Sequence, residues 1–286
     1  MSAARHTYGE SAFAETPDGR RLHYMEAGRG APVAVFESGM GISRSTWGLV
    51  QPRVAEHVRA VVYDRAGLGR SDPDAEPRTL ERLAADLGAL LTALGPGPFV
   101  LVGHSWGGPV VRRAAAADPS RIRGLVLVDQ TDENCDLYFS PAGRRRFASA
   151  RVLTPPAARV GLYRLAGSRP GRVQPPDVAA EHRAEDFTPR AARVMAAELA
   201  AFTDELSALR AHPPALGDIE VSVISGTKPT RADKKVRTAV TAAHRETAEA
   251  LAGGRFVEAA GSAHLVMFDE PGVIVGEILE MVDKES

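Results

Sequence analysis

The feature that most constrains this chain is a pentapeptide, Gly103-His104-Ser105-Trp106-Gly107, followed at once by Gly108. Before it runs Phe99-Val100-Leu101-Val102, an apolar stretch of strand character, and after it the helix-forming Pro109 to Ala117. A serine at a sharp strand-to-helix turn is held in strained backbone, and glycines on either side leave room for that turn. The turn presents the hydroxyl at the carboxyl end of a sheet, where ligands bind in open α/β folds. A helix N-terminus beneath it favours a developing negative charge. Ser105 is therefore the candidate nucleophile. A glycine-rich turn of this pattern also recurs by chance, so the reading depends on its flanks and on partners elsewhere in the chain.

The rest of the sequence supplies a matching scaffold. Ser11 to Thr16 and Arg21 to Ala27 flank Pro17-Asp18-Gly19-Arg20, which suits a tight hairpin turn. Short apolar runs follow at Val33 to Glu37, Arg59 to Asp64, Phe99 to Gly103, Ile122 to Asp129, Ile219 to Ser225 and Arg255 to Ala259, as expected of strands covered on both faces. Between them, Thr79 to Leu94 sets Leu80, Leu83, Leu87, Leu90, Leu91 and Leu94 on one helical stripe, stopped by Gly95-Pro96-Gly97-Pro98. Ser105 to Asp118, Val236 to Leu251 and Pro271 to Val282 are the other expected core helices. Such alternation predicts βαβ units and a mostly parallel sheet. It fails between about Gln130 and Pro214, where no strand is expected and Thr154-Pro155-Pro156, Gln174-Pro175-Pro176 and His212-Pro213-Pro214 break the chain. Helical stretches such as Pro189 to Leu209 make this a helical insertion rather than a long loop.

Composition limits the function classes. With 35 Lys and Arg against 36 Asp and Glu, the chain lacks the basic excess of a nucleic-acid binder. The cluster Arg144-Arg145-Arg146 reads as a solvated helix face. The single cysteine, Cys135, lies among acids that disfavour a thiolate, and it rules out an internal disulfide. No apolar leader occurs in Met1 to Glu10 and no run reaches the length of a membrane span. The expectation is a cytoplasmic protein with a small-molecule substrate, no membrane or nucleic-acid partner, no cofactor and no metal.

A serine needs a base to take its proton, held in turn by a carboxylate. Among eight histidines, His264 in Gly261-Ser262-Ala263-His264 follows the last expected strand and falls at the same sheet edge as Ser105. His244 is the next to consider; His104 should point away from Ser105. In chain order the acid lies between serine and histidine. Asp129, at the mouth of the Ile122 to Val128 strand, is preferred on grounds of rigidity, with Asp233 and Asp132 as alternatives. The oxyanion donors would be the backbone N–H groups of Trp106, directly after the nucleophile, and of Met40 in the loop Ser38-Gly39-Met40-Gly41.

Glu37 to Gly41, Ser45-Thr46-Trp47, Tyr63 to Asp72, Gly103 to Gly108 and Gly261 to His264 together resemble the α/β-hydrolase family. The resemblance implies an eight-stranded, mostly parallel sheet with helices on both faces and a helical cap inserted after the sixth strand. It divides the chain into core (1–131), cap (132–216) and core (217–286). Two positions depart from the family pattern. Ser38-Gly39 replaces the usual His-Gly, and the stretch after the seventh strand, Gly226-Thr227-Lys228-Pro229, lacks the acid many members carry there. The activity implied is hydrolysis of a carboxylic ester, lactone or thioester through an acyl-enzyme. A proline-type aminopeptidase, with Glu181, Glu185 or Asp186 meeting the substrate amine, and a C–C bond hydrolase use the same triad. The alternative of another class is a ligand-binding receptor or scaffold on this fold.

Overall fold

A computed structural model describes residues 6–229 and 234–283. The hairpin forms as expected, β1 (Glu10–Glu15) and β2 (Arg21–Ala27) pairing antiparallel from Glu10 opposite Glu26 to Glu15 opposite Arg21. Then come β3 (Val33–Glu37), the short α1 (Gln51–Val54), β4 (Ala60–Tyr63), α2 (Leu80–Leu94), β5 (Phe99–His104), α3 (Gly107–Ala117) and β6 (Ile122–Val128). Thr79 caps α2 by accepting a hydrogen bond from the Arg82 N–H, and the leucine stripe read from the sequence is its buried face. Four longer helical segments follow without a strand: α4 (Pro141–Arg159), α5 (Leu162–Gly167), α6 (Pro176–Glu185) and α7 (Pro189–Ala211). The chain then returns to the sheet with β7 (Glu220–Gly226), α8 (Lys234–Ala250), β8 (Gly254–Ala259), α9 (Val266–Asp269) and α10 (Pro271–Asp283).

The eight strands form one sheet in the order β1-β2-β4-β3-β5-β6-β7-β8. Only β1/β2 and β2/β4 pair antiparallel; from β4 to β8 all neighbours are parallel. The alternation of strand and helix in the sequence is thus the doubly covered parallel sheet it predicted. Apolar cores lie on both faces, one containing Leu83, Leu87, Leu101 and Val111, the other Phe36, Trp47, Val102 and Ile278. Among the described residues no helix is long and apolar enough to cross a membrane.

One expected break is absent. The α4 helix runs through Pro155 and Pro156, although each proline removes a backbone donor and crowds the preceding turn. The other two breaks hold: α6 starts at Pro176 after Gln174-Pro175, and α7 ends at Ala211 before His212-Pro213.

The segment between β6 and β7 is fastened to the sheet by buried charge. Arg44, in a 3-10 turn after β3, places its guanidinium 2.7 Å from Asp64 below and 2.7 Å from both Glu181 and Glu185 of α6 above. On the α7 side, Glu198 accepts from Arg65 at 3.1 Å and from the backbone N–H of Gly41 at 3.0 Å.

Candidate active site

The elbow is built as the pentapeptide requires. Ser105 has a φ of 52°, a left-handed conformation that non-glycine residues rarely adopt. The turn leaves no room beside it: a Cβ on Gly103 would lie 2.5 Å from the carbonyl oxygen of Gly107, and one on Gly107 would lie 2.7 Å from that of Glu37. The strained serine is tied into the sheet on both sides. Its N–H donates to Val128 O at 3.1 Å, and its carbonyl accepts from Gly108 and Thr131. Trp106 forms the N-terminal boundary of α3, so the helix dipole opens onto the serine.

At the end of the neighbouring strand, Asp129 also has a positive φ, 39°, and its N–H donates to Ile224 O. This places a buried carboxylate at the same edge as Ser105. His264 Nδ1 donates to Asp129 Oδ2 at 2.6 Å. The other oxygen, Oδ1, accepts from the Gly226 N–H at 3.0 Å and from Arg237 Nη1 at 2.7 Å. Burial alone would push this carboxyl up, but the His264 hydrogen bond and the positive charge around it hold it well below the usual carboxylate range.

Arg237 escaped sequence reading. It sits near the start of α8, an arginine among several cations, and nothing in the sequence shows that the end of β6 lies beside that helix. The structure pairs it with Asp129 where burial would otherwise raise the carboxyl.

His264 lies in the loop after β8 with its side chain 48% exposed, so its other ring nitrogen is free to face a ligand. The loop is held from beneath by His104, whose Nε2 donates to His264 O at 3.0 Å. Burial, with His264 close by, pushes His104 down to about 3, so it is a neutral donor. His104 thus points away from Ser105, its ring packing 4.6 Å from that of His264. His244 is bound at both nitrogens, to Ser225 Oγ and Gln130 O, and is fully buried. Asp132 accepts from Gln130, Asn134 and Thr247 and does not contact His264. Asp233 lies outside the described residues.

The loop after β3 completes the edge. A Cβ on Gly39 would lie 3.4 Å from Ser105 Cβ, so this backbone passes directly against the serine side chain. Ser38, where the family pattern has histidine, turns its hydroxyl inward to accept from Trp47 Nε1 at 3.0 Å. Arg65 donates to the carbonyls of Ser38 and Gly39, both at 2.6 Å, and to Glu37. With those carbonyls turned to Arg65 and the Gly41 N–H taken by Glu198, the N–H groups of Met40 and Trp106 donate to no described residue.

Ser105, His264, Met40 and Trp106 line one cavity of about 600 Å³. Its remaining wall is mostly apolar: Leu137, Phe147, Met195, Leu199 and Phe202, all from the segment between β6 and β7. No Asp or Glu is among the described lining residues. Glu181 and Glu185 are engaged with Arg44, and Asp186 with Ser45 and the Ser43 N–H. Cys135 is buried, which pushes its thiol up. Among the described residues no group of side chains could hold a metal ion.

The sequence profile of the alpha/beta hydrolase family matches residues 34–277. Among curated proteins, an N-formylmaleamate deformylase from Pseudomonas putida is 34% identical over 134 residues, 46% of this chain and 47% of that protein. The lipase LipV from Mycobacterium tuberculosis is 38% identical over 111 residues, 38% of this chain and 41% of that protein. These matches span less than half the length of either relative. Among solved structures, an esterase from Thermogutta terrifontis superposes with a TM-score of 0.71 at 22% identity, over 95% of this chain and 97% of that one.

Proposed function

Because this chain belongs to the alpha/beta hydrolase family, and a lipase and a deformylase are among its relatives, we propose that it is a serine hydrolase cleaving a small-molecule carboxylic ester, lactone or thioester through an acyl-enzyme. The observation that carries the reading is a strained serine and a histidine on one cavity, with a buried aspartate behind the histidine: Ser105 at φ 52°, and His264 hydrogen-bonded at 2.6 Å to Asp129.

In this reading His264 Nε2 takes the Ser105 proton as Oγ attacks the carbonyl carbon. The carbonyl oxygen becomes an oxyanion received by the N–H groups of Met40 and Trp106. As the intermediate collapses, the bond to the leaving oxygen or sulfur breaks and His264 returns the proton to it. Water then attacks the Ser105 ester by the same route, releasing the acid and restoring the serine. Asp129 fixes the imidazole tautomer and balances the imidazolium charge. The segment 132–216 acts as a cap. It supplies the apolar wall and so selects the acyl or leaving group.

The absence of a carboxylate from the described cavity wall speaks against a substrate with a free amine, and so against the aminopeptidase reading. The elbow serine separates this chain from hydrolases that attack with aspartate.

The test is a panel of p-nitrophenyl esters of graded chain length, read beside fluorophosphonate labelling. Wild type should turn over at least one ester and label at Ser105. Ser105→Ala should lose on the order of 10⁶ in kcat and all labelling while keeping its fold. An Ala variant that retains a tenth of the activity, or wild type that neither labels nor turns over, defeats the proposal.

A further inference from the structure

The balanced charge of the whole chain conceals a local extreme. Residues 137–176 contain eight arginines, from Arg144 to Arg172, and no Asp, Glu or Lys. The cluster Arg144-Arg145-Arg146, which the sequence marks as a solvated helix face, begins a series of exposed arginines that runs through α4, α5 and the 3-10 turn Pro170–Val173. All eight side chains are exposed, and none forms an ion pair with a described residue.

Large aliphatic side chains are exposed on the same elements: Val152 at 66%, Leu153 at 63%, Val160 at 72%, Leu162 at 60%, Leu165 at 62% and Val173 at 59%. On α4 the two classes share a face. Gly143, Phe147, Ala150, Thr154 and Ala158 form the inward stripe, Phe147 packing 4.5 Å from Phe202 of α7. Opposite them, Arg145, Ser149 and Val152 follow at i, i+4 and i+7, with Leu153 one residue round. Scattered exposed leucines are ordinary. A run of them on consecutive elements, threaded with unpaired arginines, marks a contact surface.

We propose that this face of the molecule docks on an anionic phospholipid surface. Charge complementarity requires an anionic occupant, and the aliphatic side chains require one with hydrocarbon to offer. A bilayer interface meets both needs: arginines reach the headgroups while Val and Leu enter the acyl boundary. Nucleic acid satisfies the first and leaves the second in water, since the exposed large hydrophobic side chains here are aliphatic and offer no stacking platform. The position adds a use. Arg146, Phe147 and Ala150 of α4 line the cavity that holds Ser105, so the docked helix separates the cavity from the lipid by about one helix diameter, roughly 10 Å. The proposal concerns binding alone and stands or falls independently of the hydrolytic reading.

The experiment is co-sedimentation with vesicles of phosphatidylcholine alone or mixed with phosphatidylglycerol, at low and at high salt. Wild type and Ser105→Ala should both bind the mixed vesicles, release at high salt and ignore the neutral ones. The triple variant Arg145→Gln, Arg151→Gln, Arg159→Gln should weaken partitioning about a hundredfold, at about fivefold per arginine. The double variant Val152→Ser, Leu153→Ser should weaken it with the charge intact. None of these five positions lines the cavity, so turnover of a soluble ester and the circular dichroism spectrum should stay at wild-type values and show that the variants fold. No binding to mixed vesicles, binding unaffected by both variants, or binding to DNA or polyglutamate in preference to vesicles would overturn the proposal.

Discussion

Asp129 stands between a histidine and an arginine that make different demands on it. In the proposed mechanism His264 needs its charge for orientation, while Arg237 neutralises it in a buried site. The two demands separate experimentally. Asp129→Asn removes the imidazole's partner and should cost about 10⁴ in kcat. It also strands Arg237, which is 7% exposed, and breaking a buried pair by removing one partner typically costs about 3–5 kcal/mol. Adding Arg237→Gln to Asp129→Asn should recover most of that stability in urea unfolding and none of the activity. If the double variant regains turnover, Asp129 acts only as a structural partner of Arg237. At this scale the sequence was informative wherever a residue's neighbours in the chain create its environment. The placement of Ser105 at the strand-to-helix turn was legible because glycines and a helix start flank it, and that of Asp129 at the sheet edge because a strand runs into it. Arg237 was not, because its meaning comes from its contact with Asp129, 108 positions away in the chain.

Among the elements, α7 carries a load that its sequence disguises. Its Glu198 reads as one polar residue of an amphipathic helix, yet it is fully buried. One oxygen accepts from Arg65, the other from Arg65 and the Gly41 N–H, so α7 fixes the loop that carries Met40. Glu198→Gln keeps the shape and removes the charge. It should slow ester turnover by about tenfold through kcat with little change in KM, because in the proposed mechanism the loop's N–H groups act on the transition state more than on bound substrate. It should also cost about 1–3 kcal/mol of stability. A rise in KM at constant kcat would instead make Glu198 a determinant of cavity shape. The identity and order of the elements were legible because hydrophobic period and turn chemistry are local. What stayed hidden was how the strand-free segment meets the sheet. It does so through buried ions, Arg44 with Glu185 and Arg65 with Glu198, which in sequence look like surface charges. The α4 helix misled for a related reason. Its paired prolines signal a stop, and tertiary packing against α7 overrides that signal.

Summed over the molecule, these buried groups set how the fold responds to acid. His104 is pushed down to about 3 from the ordinary 6.5, so between those values the unfolded chain binds the proton and the folded one does not. Its contribution to stability is therefore complete above about pH 6.5 and is lost as pH falls toward 3. Asp64, Asp129 and Glu133 are also held low: burial pushes each up, and hydrogen bonds from His23, His264 and Arg112 more than reverse it. Their contributions are present above about pH 4 and disappear below it. Glu37 and Glu185 run the other way, raised by burial despite Arg65 and Arg44, and they soften the first part of the decline. Thermal unfolding should thus show a plateau near neutrality, a shallow fall of Tm beginning just below about pH 6.5, and a steep fall below about pH 4. His104→Asn keeps a donor within reach of the His264 carbonyl and removes the titrating group. It should lower Tm at neutral pH yet flatten the shallow phase, leaving the steep phase in place. A wild-type Tm that holds constant down to about pH 4, or a His104→Asn variant with an unchanged shallow phase, would show that His104 is not the proton acceptor responsible.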